Sequence, residues 1–508
     1  MEFLSRRSWL VAVSLILGLC AAGAVWAAPP AGKPIVAQPV SPPSLGDLAH
    51  KLAPFAADSR LKGDKFGFAV MDVASGDMIF ASGQNLPLLP ASNMKLATAA
   101  AALTVLGDDW RFRTMIGTQG KDLVVVGGGD PNLSGRFFND DPTAALRQWA
   151  AALKKAGVTQ IAGDLVFDDF LFESTWVHQN WPPKQYFDWY EAPAGALNLN
   201  DSCIDVSVRG AAQAGQPATV TISPATSYFQ LSGQVMTRAG AGRGTFSVDR
   251  QRQSTTLAVK GDVAPGWQLP KAVNRTVGDP GMFAATVIRE TFQAEGVTVT
   301  GQVVRRKVWT ADWRMPKDFT PLVYHYSTLA QSVRVANTDS QDFYAECILK
   351  ALAAYGESKD KEWPTAQGSW AAGDRAVPQA LAALGVPTTG CVFDDGCGLS
   401  RNDRMTADTL VRLLVVMAKR PHPEAWMDSL AVAGDSMGTL KKRMKNHKDL
   451  FGRLFAKTGF INGVKSLSGY VKSDSGRLIA FSMIVNNVQN GFEVNEWEDD
   501  ICETLLKH

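Results

Sequence analysis

The sequence predicts a mixed α/β (α+β) fold in which one domain is assembled from both ends of the chain and interrupted by β-rich inserted domains. Three observations carry this. Near the start, "KFGFAVMDVASGDMIFASG" reads as strand, turn and strand, and an alanine-rich helix, "SNMKLATAAAALTVLG", follows from Ser92. From 108 to 315 the chain changes to short alternating segments punctuated by glycine and proline, such as "DLVVVGGGDPNL", "QIAGDLVFDDFLF" and "CIDVSVRG", with a few helices among them. The tail returns to helices, "AECILKALAAYG" and "TADTLVRLLVVMA", then to the strands "LFAKTG", "VKSLSGYVKS" and "RLIAFSMIVNN", and to a closing helix near "EWEDDICETLLKH". The interrupted domain is thus expected to comprise 46–107 and 316–508.

Arg6 and Arg7 precede an apolar run from Trp9 to Ala28, and Pro29 and Pro30 follow. That is the layout of an export signal over 1–27, with Val25 and Ala27 at the small-residue positions of the cleavage site. Leu19 before Cys20 disfavours a lipoprotein reading. The alternative to cleavage is an uncleaved anchor, because the run is long enough to span a bilayer and would leave the protein weakly associated with a membrane surface. Residues 28–45, "APPAGKPIVAQPVSPPSL", read as a proline-rich linker that packs no core. The expected location is the periplasm or cell envelope.

With 46% hydrophobic and 20% charged residues, the 508-residue chain has the composition of a globular protein with a large core. Its 51 Lys+Arg nearly balance 49 Asp+Glu, and no long basic run appears, so nucleic acid is not an expected partner. Export would leave Cys203, Cys347, Cys391, Cys397 and Cys502, an odd number with at least one free thiol. Cys391 and Cys397 are close enough in sequence to pair in an oxidising compartment, subject to geometry. The six histidines are scattered without an H-E-x-x-H, so neither a metal nor another cofactor is expected.

Ser92 opens a helix and Lys95 lies three residues on, which places both on one helical face. A serine hydroxyl is a poor nucleophile and needs a base within hydrogen-bond reach; at a helix mouth it also meets free N–H groups that favour developing negative charge. The bland alternative is an N-cap serine, and the chain contains a chance copy of the spacing in Ser358 and Lys361. A second word, "FAKTGF", puts Lys457, Thr458 and Gly459 late on a strand, supplying positive charge, a hydroxyl and a place where a substrate backbone can approach. Serine-x-x-lysine with lysine-threonine-glycine is the constellation of active-serine penicillin-binding proteins and β-lactamases.

On the words "LPASNMKLATAAAAL", "VVGGGDPNL", "YEAPAGALNLND", "DDGCGLSRNDRMT", "GTLKKRM" and "AKTGFINGVKSLSGYV", the chain resembles the class C low-molecular-mass penicillin-binding proteins. This is the D-alanyl-D-alanine carboxypeptidase/endopeptidase group that includes penicillin-binding protein 4. The resemblance runs from about residue 65 to the end and implies a transpeptidase-like domain with a flanked antiparallel sheet. It also implies peptidoglycan stem peptides as substrates and β-lactams as acylating ligands. Ser92 would form the acyl-enzyme, with Lys95 as general base, Ser340 passing the proton to the leaving amine, and Lys457 supplying electrostatics toward the substrate carboxylate. Asp342, Thr458, Gly459 and Phe460 would line the substrate, with the backbone N–H groups of Ser92 and Phe460 as the oxyanion hole.

Two departures follow from the same comparison. The second motif, serine-x-asparagine in the family, is Ser340, Gln341 and Asp342 here, and "SRN" at Ser400–Asn402 belongs to a different word. A carboxylate at Asp342 would raise the pKa of Lys95 and make it a poorer base. Phe460 follows "KTG" where many relatives carry threonine or serine, which implies weaker capture of a free terminal carboxylate and a preference for cross-links. Three readings are weighed: a serine DD-peptidase, a β-lactamase of the same fold, which the long insertion opposes, and a catalytically silent wall-binding or scaffolding protein, which Asp342 and Phe460 motivate. "GGGDPNL" at Gly127–Leu133 lacks the ending of a phosphate-binding loop and reads as a tight turn, with Asp130 structural.

Overall fold

The computed structural model describes residues 44–240 and 244–508. The expected export signal over 1–27, and all of the expected proline-rich linker over 28–45 except Ser44 and Leu45, lie outside the described residues; those two open a helix over Leu45–Leu52, which Ser44 caps. Among the described residues no helix is long and apolar enough to cross a membrane.

The two ends of the chain build one antiparallel sheet of six strands. In order these are Ala431–Val432, Leu454–Ile461, Val464–Lys472, Leu478–Asn486, Lys65–Asp72 and Met78–Ser82. Lys65–Asp72 pairs with Leu478–Asn486, joining the beginning of the chain to its end. Alternate residues of these strands enter two cores, as a sheet covered on both faces requires. Ala69, Met71, Ala480 and Ile484 pack with the helices Met94–Val105 and Ala407–Ala418, whereas Phe68, Val70, Phe481 and Met483 pack with Trp497, Ile501 and Leu505 of the closing helix Gly491–Leu506.

Met94–Val105 is the central helix. Its residues from Met94 to Leu103 are all buried, which explains its alanine content: a helix enclosed on every side needs small side chains where neighbours approach. Two further helices pack beside it, Leu329–Thr338, capped by Thr328, and Asp342–Tyr355.

Between the sheet's first and last strands lie a five-stranded sheet and two three-stranded sheets, with helices Ala144–Lys155 and Pro280–Ala294 and a core around Leu146, Trp149, Phe167, Ile204 and Phe283. The strand Phe319–Thr328 completes the five-stranded sheet by pairing with Arg111–Gln119, so that sheet also draws on the beginning of the 316–508 segment. "GGGDPNL" forms a turn in which Asp130 accepts from the Asn132 N–H at 2.8 Å and from Ser327 Oγ at 2.6 Å. The five cysteines among the described residues are free thiols; Cys391 Sγ lies 3.4 Å from Thr409 Oγ1 and Cys397 Sγ 3.6 Å from Asp395 Oδ2, so these two thiols make separate hydrogen-bonding contacts.

Candidate active site

Ser92 sits one step before the central helix, in a 3₁₀ turn over Ala91–Asn93 that runs directly into Met94. Ala91 takes a positive φ of 48°, an uncommon backbone for a residue with a Cβ, and so stores strain beside the serine. The turn is clamped from the sheet. Ser466 donates to the Pro90 carbonyl at 2.7 Å and accepts from Asn93 Nδ2 at 2.5 Å, both bonds buried. Gly459 lies against the same turn, and a Cβ built there would stand 2.1 Å from Ser466 Oγ and 3.0 Å from the Pro90 oxygen. Glycine is therefore needed on the "KTG" strand for its contact with the serine turn.

Lys95 is fully buried and its Nζ donates to three acceptors: Ser92 Oγ at 2.9 Å, Asp342 Oδ1 at 2.5 Å and the Cys397 carbonyl at 2.9 Å. Burial is the largest single effect and pulls its pKa down, but the surrounding negative charge, led by the Asp342 carboxylate with Asp395 behind it, outweighs burial in sum, and the net direction is upward. Asp342 itself is raised by burial, against the pull of Lys95. The expected effect of aspartate on this lysine is thus present as a direct ion pair.

Ser340 occupies the bend between the helices Leu329–Thr338 and Asp342–Tyr355 with a positive φ of 59°. Lys457 Nζ donates to Ser340 Oγ at 2.7 Å and to the Thr458 carbonyl at 2.7 Å. Burial drives the Lys457 pKa well below that of a free lysine, the Lys95 cation pushes it further, and Asp342 and Asp339 oppose both. Thr458 is half-buried next to it, and Phe460 is exposed, at 67%, with Lys465 Nζ 4.6 Å from its ring centre. The structure therefore gathers these residues into two groups, Lys95 with Ser92 and Asp342, and Lys457 with Ser340, with Gly459 against the Ser92 turn and Phe460 at the exposed end of the strand. The chance copy does not assemble: Ser358 Oγ donates to Asp360 and Lys361 Nζ to the Gly356 carbonyl.

Sequence reasoning missed the supports of this cluster. Asp395 accepts from the N–H groups of Cys397, Gly398 and Ser400 at 3.1, 2.5 and 2.8 Å and from Trp181 Nε1 at 2.9 Å. Glu346 accepts from the Gly396 N–H at 3.0 Å and from Trp370 Nε1 at 2.5 Å. Together they fix the loop that aims the Cys397 carbonyl at Lys95. Ligand atoms of Glu346, Asp395 and Cys397 lie within 4.8 Å of one another, the spacing of a metal site. Their bonding suits them poorly to one: the carboxylates are committed to N–H donors, burial pushes Glu346 up to about 8, and burial holds the Cys397 thiol protonated.

A serine paired with a buried lysine at a helix mouth, near a second serine–lysine pair whose lysine comes from a strand of a helix-flanked antiparallel sheet, defines an active-serine peptidase of the penicillin-binding type. The chain belongs to the D-Ala-D-Ala carboxypeptidase 3 (S13) family, whose profile matches residues 48–507. It is accordingly an enzyme, a serine-type D-Ala-D-Ala carboxypeptidase. It is 36% identical over 483 residues to a D-alanyl-D-alanine carboxypeptidase of Actinomadura sp. (strain R39), covering 91% of this chain and 85% of the relative. It is 25% identical over 453 residues to the D-alanyl-D-alanine carboxypeptidase DacB of Haemophilus influenzae, covering 88% and 89% of the two chains. The fold matches the crystal structure of penicillin binding protein 4 from Haemophilus influenzae with a TM-score of 0.73 at 24% identity, over 91% of this chain and 99% of that one. The expected α/β architecture with β-rich inserted domains is that of this structure.

Proposed function

We propose that the protein is an exported serine DD-peptidase that cleaves D-Ala-D-Ala and D-Ala-diaminopimelate bonds of peptidoglycan stem peptides through an acyl-enzyme on Ser92. β-Lactams would acylate the same serine. The observation that carries this reading is the 2.9 Å contact between Lys95 Nζ and Ser92 Oγ at the entrance of the central helix. There the helix N-terminus stabilises the oxyanion, and the second pair, Ser340 and Lys457, stands ready to protonate the leaving amine. Water then releases the acyl group. In this reading Thr458, Gly459 and Phe460 form the substrate-facing strand, residues 1–27 direct export, and 108–315 is an insertion into the domain formed by 46–107 and 316–508.

Phe460 supports a preference within this chemistry. An exposed aromatic ring offers stacking surface and no hydroxyl for a terminal carboxylate, which favours a cross-linked substrate whose chain continues past the scissile bond. Purified enzyme given stem pentapeptides and cross-linked muropeptide dimers is expected to cleave the dimers faster, and Phe460→Thr to shift the ratio toward release of free D-alanine. Release of D-alanine alone, with dimers left intact, would refute the preference.

A second reading has its own observation. The Lys95–Asp342 ion pair could leave a peptidoglycan-binding protein that has lost turnover. It requires that Ser92→Ala and the parent hydrolyse both substrates equally slowly; a Ser92-dependent rate removes it.

A further inference from the structure

The bend that carries Ser340 has a second side. Ser340 and Asp342 contact the two lysines of the site, whereas their neighbours Asp339 and Gln341 line a cleft of about 940 Å³ between the peptidase domain and the inserted residues. One wall is the segment 436–442, and the other carries Trp189 and Lys271. Gln341 is 7% exposed and its Oε1 has no hydrogen-bond partner, and Thr439 Oγ1 is likewise bare. A buried acceptor in that state is satisfied when a ligand brings a donor, and a peptide N–H is one. The charges of the cleft are unevenly committed. Arg136 is paired with Asp201 at 2.7 Å and Asp339 at 3.1 Å, and Asp205 accepts from Asn200 and Asn274. Lys271, Lys441 and Lys442 are exposed and have no ion-pair or hydrogen-bond partner among the described residues, which leaves three free ammonium groups against the single free carboxylate of Asp140.

Resting on the acyl-enzyme reading above, we propose that this cleft receives the leaving chain, the second stem peptide of a cross-link, and holds its carboxylates with Lys271, Lys441 and Lys442. In that reading Ser340 gives its proton to the nitrogen of the breaking C–N bond, so the amine product departs past Ser340, and the residues on either side of Ser340 open onto the cleft. A departing D-alanine fills only a small part of this volume. Diaminopimelate in the same position continues into a whole peptide. It keeps a carboxylate beside the scissile nitrogen for the free lysines, and its methylene stem suits the exposed Trp189 ring and Met437 side chain of the lining. Lys271 and Trp189 thereby give the inserted residues a part in choosing the substrate.

The test follows three reactions in the unmodified chain, in Lys441→Glu/Lys442→Glu and in Lys271→Glu. They are cleavage of a cross-linked muropeptide dimer at its D-Ala-diaminopimelate bond, release of D-alanine from a stem pentapeptide, and formation of the penicillin adduct on Ser92. The expected result is a KM for the dimer raised about tenfold in each charge-reversed protein, while kcat for the dimer, release of D-alanine and penicillin acylation stay within about twofold of the parent. A dimer KM within about twofold of the parent in both variants, or a loss shared equally by the pentapeptide, overturns the assignment and leaves Ser92 as nucleophile. A parent that releases D-alanine but leaves the dimer intact overturns it in the same way. A parent that forms no adduct and hydrolyses neither substrate overturns the underlying reading together with it. Lys271 and the lysine pair stand on different walls of the cleft, so if one variant does not fold the other decides.

Discussion

An Asp395→Ala variant is expected to lose about 3–5 kcal/mol of stability and nearly all reactivity toward penicillin. The side chain is 2% exposed and is the acceptor for three backbone N–H groups and the Trp181 indole. Alanine offers none of these donors a partner, and each buried donor left unpaired costs about 1–3 kcal/mol, partly recovered where water enters. The loop from Gly396 to Ser400 would then lose its fixed course. Gly398 sits so close to the serine turn that a built Cβ would be 1.8 Å from the Ala91 oxygen, so a shift of this loop moves Ser92 as well as the Cys397 carbonyl. Urea unfolding and penicillin labelling, measured on the same preparation, check both parts. A loss below about 1 kcal/mol, with labelling intact, would show that the loop is held by other means.

Asp342→Asn is expected to accelerate acylation about tenfold for each unit by which the Lys95 pKa falls. The amide keeps an oxygen for Lys95 but removes the negative charge that holds it protonated. Lys95 is then more often free to accept the Ser92 proton directly across 2.9 Å. The measurement is the rate of adduct formation at neutral pH in the unmodified chain and in Asp342→Asn. An unchanged or slower rate in Asp342→Asn would mean that the carboxylate is not what restrains Lys95.

Side-chain chemistry was legible in the sequence where it had a fixed spacing. Ser92 and Lys95 share a helical face, and the "KTG" word announces a strand; the structure joins both to Ser340 and Asp342 across long sequence separations. The Cys397 carbonyl was not legible, because a backbone acceptor leaves no mark in residue type and is aimed only by the carboxylates of Asp395 and Glu346. Ser466 was hidden for a related reason: on a strand buried on both faces a serine looks like any small residue until its partner is known. The strand Phe319–Thr328 carries Pro321, which removes a ladder donor and argues against a strand. It is tolerated because this strand lies at the sheet edge and its register shifts between Pro321 and Val323.

The most direct test of the account is the intact mass of the purified chain after exposure to benzylpenicillin, with Ser92→Ala beside it. A mass increase of one penicillin, mapped to the peptide containing Ser92 and absent from Ser92→Ala, is the expected result. A folded parent that gains no mass, or a Ser92→Ala protein that gains as much, would contradict it.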